Sequence, residues 1–163
     1  VERLGDEPVD LLEINVSCPN VKEGGIAFGQ DPKALYDITK AIKAKAKQPI
    51  IMKLSPNVTD ITEMAKAAEA AGSDALSLIN TLTGMKIDIK RRAFAVANTF
   101  MPMGGVMNTE DALEMIMAGA TAVAVGTANF HNPYATVEII KGIEEYMQAN
   151  GVDDINTLIG CVK

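Results

Sequence analysis

The sequence predicts an α/β fold, a mostly parallel sheet covered by helices. Two observations carry this. Apolar runs and helical patterns alternate as strand, helix, strand, helix, strand, and each apolar run ends in polar residues. Alternation of this kind requires right-handed crossovers and parallel pairing. Polar residues at the carboxyl ends of strands are where barrel and open α/β enzymes place their chemistry.

The run from Val9 to Val16 follows Pro8 and reads as a buried strand. Gly24, Gly25 and Gly29 keep the chain open until Asp31, with Pro32 behind it, caps a helix to about Lys47. Pro49 to Leu54 is a second strand, closed by Ser55 and Pro56. Thr59 or Asp60 caps a helix whose Ile61, Met64, Ala65, Ala68 and Ala71 share one face and which stops at Gly72. Ala75 to Ile79 is a third strand, ending at Asn80 and Thr81. Met103 to Val106 leads into a helix from Thr109 to Gly119. Thr121 to Gly126 reads as a short strand, and Thr136 to Ala149 as a final helix ended by Asn150 and Gly151.

The 163 residues suffice for one well-buried domain, and nothing in the composition divides residues 1–163 in two. A net charge of -6 argues against nucleic-acid binding. The basic cluster Lys86, Lys90, Arg91, Arg92 lacks interleaved aromatics and reads as a solvated loop. No apolar run is long enough to span a membrane, and no signal-peptide pattern opens the chain. Two cysteines far apart, Cys18 and Cys161, point to a reducing cytoplasm rather than a disulfide framework. No His/Cys cluster has metal-ligand spacing, so no metal site is expected. The single histidine, His131, is placed in a loop before the last helix and is given no catalytic role.

Cys18 lies where the first strand gives way to a loop, between Ser17 and Pro19, with Asn15 and Asn20 on either side. A thiol there has the setting of a catalytic base; the bland alternative is a small buried hydrophobe. Lys53 places a charge in an apolar strand, and a buried lysine needs a partner unless it reaches solvent at the strand end. Gly104 and Gly105, then Gly126 and Thr127, end what read as the last two strands. Bare glycine backbone of that kind lets N–H groups approach an anion.

Five motifs in order carry a family resemblance: Asn-Val-Ser-Cys-Pro-Asn (15–20), Phe-Gly-Gln-Asp-Pro (28–32), Lys-Leu-Ser-Pro-Asn-Val-Thr-Asp-Ile (53–61), Ser-Leu-Ile-Asn-Thr (77–81) and Val-Gly-Thr-Ala (125–128). Together they resemble class 1 dihydroorotate dehydrogenases, and within these the NAD-linked subgroup, whose catalytic subunit carries FMN and works with an iron-sulfur flavoprotein. The resemblance implies a (β/α)8 barrel, a homo-oligomer and oxidation of dihydroorotate to orotate in pyrimidine biosynthesis. It implies that Cys18 removes the proton from C5 while C6 delivers hydride to the flavin. It also implies that Asn15, Asn20, Asn80 and Thr81 hydrogen-bond the pyrimidine ring. Asn15, Lys53, Ile79, Gly104, Gly105, Gly126 and Thr127 would contact FMN, with Lys53 at the N1 and O2 edge of the ring and the glycines at the phosphate.

A barrel of this kind usually needs about 250 residues. By resemblance Val1 falls near the fourth strand, so an incomplete barrel of about five parallel strands with outer helices is expected. A second gap is expected at Phe100–Met101, where the family places a helix and most of a strand. Weak or absent FMN binding and no turnover by this chain follow from that expectation. Two other readings share some of these features. One is the related flavin domain that reduces uracil and thymine in dihydropyrimidine dehydrogenase. The other is an inactive remnant that pairs with another chain through an open sheet edge.

Overall fold

Three parallel strands form the sheet of the computed structural model, which describes residues 1–17, 27–88, 93–101 and 104–162. The strands are β1 (Leu12–Asn15), β2 (Ile50–Lys53) and β3 (Ala75–Ser77), in that order across the sheet. The chain falls into two compact units, Val1–Met103 and Gly104–Lys163.

In the first unit the register sets Leu12 beside Ile50, Ile14 beside Met52, and Met52 beside Leu76. Successive side chains point to opposite faces. One face therefore carries Leu12, Ile14, Ile50 and Met52, and two helices cover it. Helix α1 (Pro32–Lys43) starts at Asp31, whose carboxylate accepts the Ala34 N–H at 2.9 Å, and Pro32 fits the first turn. Helix α2 (Ile61–Ala70) starts at Asp60 in the same way, through the Thr62 N–H at 2.7 Å. Leu35, Met64 and Ala68 from these helices join Leu12, Ile50, Met52 and Leu54 in one buried cluster. The opposite face carries Glu13, Asn15, Ile51, Lys53 and Ser77.

Asp74 ties this layer together. Its Oδ2 accepts from the Lys43 ammonium at the end of α1 and, at 2.8 Å, from the Ile50 N–H that opens β2. The lysine first, and the amide second, hold its carboxyl below the ordinary carboxylate value. A depressed folded-state pKa means that this contribution to stability is present above the unfolded value and is lost as pH falls through the folded one. Thermal denaturation of Asp74→Asn should therefore lie below the parent at neutral pH and converge with it in acid. A constant difference across that range would show that the carboxylate charge plays no part.

The rest of the first unit departs from expectation. Two further strands, β4 (Leu82–Asp88) and β5 (Ala93–Met101), pair antiparallel with Leu82 opposite Met101, so Lys86, read as part of a solvated loop, lies in a strand. Lys86 lies within β4; residues 90–92 fall outside the described residues. No helix occurs among the described residues from Ala93 to Gly104. The third strand stops at Ser77 rather than Ile79, and α1 at Lys43 rather than Lys47.

In the second unit α3 (Thr109–Met117) opens with a reciprocal cap, Asn108 accepting from the Asp111 N–H and Asp111 from the Asn108 N–H. It packs on α5 (Ala135–Asn150), where a side chain at Gly142 would collide with Thr109. Val106, Ala112 and Ile139 form the core, with Val123 and Val125 against it. Helix α4 (Ala128–His131) precedes α5, so His131 ends a helix rather than lying in a loop. The strands expected at Met103–Val106 and Thr121–Gly126 are not formed among the described residues. Val123 and Val125 still alternate inward, but a strand exists only as part of a ladder, and among the described residues no partner pairs with either segment. About five parallel strands were expected; three are present among the described residues, with two antiparallel ones beside them in sequence.

Candidate active site at the carboxyl ends of the parallel strands

Parallel pairing brings the carboxyl ends of β1, β2 and β3 to one rim, with Asn15 beside Lys53 and Lys53 beside Ser77. From there each chain turns into a polar loop. The Asn80 N–H donates to the Leu54 carbonyl at 2.8 Å, and the Leu54 N–H to that of Ser77, which carries the ladder past the end of β3.

One buried amide connects the loops. Asn80 is 8% exposed, and its Nδ2 donates to Asn15 Oδ1 and to Ser17 Oγ, both at 2.7 Å. The Ser17 N–H donates to the same Asn15 Oδ1 at 3.3 Å. Asn80 Oδ1 accepts from the Thr81 N–H at 2.8 Å. Both amide hydrogens and the carbonyl are thus used, the condition for burying such a group without a large penalty. The Thr81 carbonyl accepts from Asn57 Nδ2 at 2.8 Å, and the Asn57 N–H donates to Ser55 Oγ at 3.2 Å, which joins the loop after β2. The turn Ala27–Gly29 closes against the end of β1, where a Cβ on Gly29 would lie 2.7 Å from Ser17 Cβ.

Asn80→Ala would take away the partner of Ser17 Oγ and of the Thr81 N–H and one of the two donors to Asn15 Oδ1, a loss of about 1–3 kcal/mol. Urea denaturation of the first unit should read it, and Asn80→Asp, which keeps the acceptor but loses the donors, should recover little. A change within error for both would show that the network contributes nothing.

Lys53 is partly exposed and reaches Glu13 at 3.4 Å, so the partner that a charged strand residue requires is a carboxylate on the same open face. Such a half-exposed pair is worth about 0–1 kcal/mol, which leaves the ammonium free to take a better anion.

The structure gathers Asn15, Lys53, Asn80 and Thr81 at this rim. Ile79 is half-buried in the loop after β3. Cys18 and Asn20 lie outside the described residues; Ser17, directly before the thiol, is 7% exposed and anchored as above. Gly104, Gly105, Gly126 and Thr127 belong to the second unit. There Gly105 precedes Val106 and Gly126 follows Val125, two valines of one cluster. Gly105 has φ +110, which favours glycine, and a Cβ on Gly104, Gly105 or Gly126 would meet nothing within 4 Å. Ser17, Gly29, Asn57 and Glu13 were not singled out as site residues. The first three sit inside recognised motifs, and Glu13 is signalled by its two-residue offset from Asn15 on the face that Lys53 shares. Among the described residues no three His, Cys, Asp or Glu side chains group as metal ligands, and no helix is long and apolar enough to cross a membrane.

The family model for dihydroorotate dehydrogenase matches residues 1–101 and again 99–147. A curated relative from Lachnoclostridium phytofermentans, named dihydroorotate dehydrogenase B (NAD(+)), catalytic subunit, is 64% identical over all of this chain and 63% of its own length. Proteins of the same name from Alkaliphilus oremlandii and Alkaliphilus metalliredigens are each 49% identical over 98% of this chain and 62% of their own. The chain therefore spans under two thirds of the length of these relatives. The first alignment extends over 190 positions against 163 residues here, which leaves 27 positions opposite nothing in this chain. The two stretches of the family match meet at residues 99–101.

Proposed function

The chain belongs to the dihydroorotate dehydrogenase family, and on that premise we propose that it carries the site for FMN-dependent oxidation of dihydroorotate to orotate in pyrimidine biosynthesis. The observation that carries this reading is the Asn15–Ser17–Asn80 network. It fixes the residue before Cys18 at the carboxyl rim of a parallel sheet, beside a cation with only a weak partner.

In this reading the Cys18 thiolate takes a proton from the substrate carbon. Asn15, Asn20, Asn80 and Thr81 hold the ring by its carbonyl and N–H groups. Asn15 Nδ2 has no partner among the described residues and is free to donate, whereas Asn80 Nδ2 is committed to the protein and acts chiefly by orienting its neighbours. FMN, when bound, accepts the hydride. The residues present fit it: Lys53 offers a partly exposed cation for the anionic edge of the ring, Ile79 an apolar contact, and Gly104, Gly105 and Gly126, with Thr127, open backbone for the phosphate. We read residues 1–163 as one incomplete (β/α)8 barrel domain in a cytoplasmic homo-oligomer. An iron-sulfur flavoprotein is its electron-transfer partner, a role that the words "catalytic subunit" in the relatives' names support.

The test uses a chimera in which this chain replaces the matching part of the Lachnoclostridium relative, whose remaining segments, including the 27 unmatched residues, are kept. The absorbance spectrum should show bound flavin in the chimera and little or none in the 163-residue chain mixed with FMN. Lys53→Ala in the chimera should weaken FMN by about tenfold or more, the order expected for one desolvated charge-assisted contact. A chimera that folds but binds no FMN would contradict the proposal.

A further inference from the structure

The three parallel strands carry one anion and one cation, Glu13 and Lys53, and both stand on the open face. In the register Glu13 lies beside Ile51 and Asn15 beside Lys53, so Glu13 is the diagonal neighbour of Lys53, two positions back from the rim. The Lys53 ammonium lies 3.4 Å from Glu13 Oε1, which sets the side chain across the face rather than out from the rim. Its side chain is 29% exposed, the lowest value for the lysine of any ion pair among the described residues. The fold alone does not account for the pair. The core of this unit lies on the other face, and a half-exposed ion pair adds little to stability. What the pair does is fix where the ammonium sits and how much of its charge is left over.

We propose that Glu13 is a positioning residue that acts through Lys53 to set the reduction potential of the bound flavin. This rests on the proposed FMN site, with Lys53 at the anionic edge of the ring. Uptake of two electrons and one proton leaves the reduced ring with a negative charge, and a nearby cation favours that form. A carboxylate bonded to the same cation opposes it, because the ring then faces a neutralised pair in place of a full positive charge. Glu13 therefore holds the ammonium in place and keeps the potential lower than Lys53 alone would set it. A lower potential makes the reduced flavin a stronger donor to the next electron carrier.

The experiment reads the midpoint potential of the FMN-loaded chimera by reducing it anaerobically with dithionite beside a dye of known potential. Glu13→Gln keeps the shape and an oxygen that accepts from Lys53, and removes only the charge. It should favour the reduced form by about tenfold, an upward shift of about 30 mV for a two-electron couple. Glu13→Asp keeps the charge on a shorter stem, and its potential should lie closer to the parent than to Glu13→Gln. A packing role would rank the two the other way, since Gln is the better match in size. Flavin content and circular dichroism show whether each variant is folded and loaded. An unchanged or lower potential in Glu13→Gln would overturn the proposal. So would an equal shift in Glu13→Asp, or loss of fold or flavin in Glu13→Gln, since the carboxylate would then serve the structure. A parent chimera without FMN would overturn it together with the proposed function. Because dithionite and not dihydroorotate supplies the electrons, an upward shift in Glu13→Gln supports the proposal even where substrate fails to reduce the flavin, and the two claims can fail separately.

Discussion

Cys18→Ala in the chimera is expected to slow the bleaching of bound flavin by dihydroorotate by about 10²–10⁴-fold, the usual worth of a positioned general base. FMN should stay bound, because the groups proposed to hold it are Lys53 and the glycines of the second unit. The distinction is physical. A thiol that merely filled space would be replaced by alanine with a small change in packing and no selective loss of proton abstraction. The anchoring of Ser17 supports the first outcome. Asn80 and the close approach of Gly29 both hold the residue before the thiol, and catalytic geometry is sensitive to displacements of about 1 Å. Anaerobic stopped-flow absorbance measures the rate, and the spectrum before mixing measures the bound flavin. Loss of flavin together with rate would show Cys18 to be structural.

Met52→Ala is the substitution expected to cost most in stability, about 2–5 kcal/mol. Met52 is fully buried in the central strand, beside Ile14 on β1 and Leu76 on β3, within the cluster completed by Leu35, Met64 and Ala68. Every element of the parallel layer meets near it, so a cavity there cannot collapse without moving a helix. Met52→Leu keeps the volume and should cost less than about 1.5 kcal/mol. Urea denaturation followed by circular dichroism reads both. A loss under about 1 kcal/mol for the alanine variant would mean that this layer is not the source of cooperativity in the first unit.

The parallel layer was legible because its signals are local. Asp31 with Pro32, and Asp60, cap helices through their own neighbours, and the apolar runs around Ile14 and Met52 are short and bounded. The hairpin was missed for an equally physical reason. Met85 to Asp88 alternates apolar and polar residues as a strand should, but Lys90, Arg91 and Arg92 drew attention to solvation instead of to pairing. Residues 104–106 and 121–126 were over-read as strand, since apolar composition alone cannot supply a partner strand. At the rim, the strand-end positions of Asn15, Lys53 and Asn80 could be read from the sequence, whereas the roles proposed for Asn15 and Asn80 came from the family resemblance. That the amide of Asn80 would bridge Asn15 and Ser17 could not. It depends on the register of three strands and joins residues 65 positions apart.

The activity proposed for this rim is the oxidation of dihydroorotate. The most direct measurement is an anaerobic titration of the FMN-loaded chimera with dihydroorotate, run beside dihydrouracil. Loss of the oxidised flavin spectrum with dihydroorotate alone, with orotate recovered in equal amount to flavin, is the predicted result. Bleaching by dihydrouracil in preference, or an unchanged spectrum with both, would contradict it.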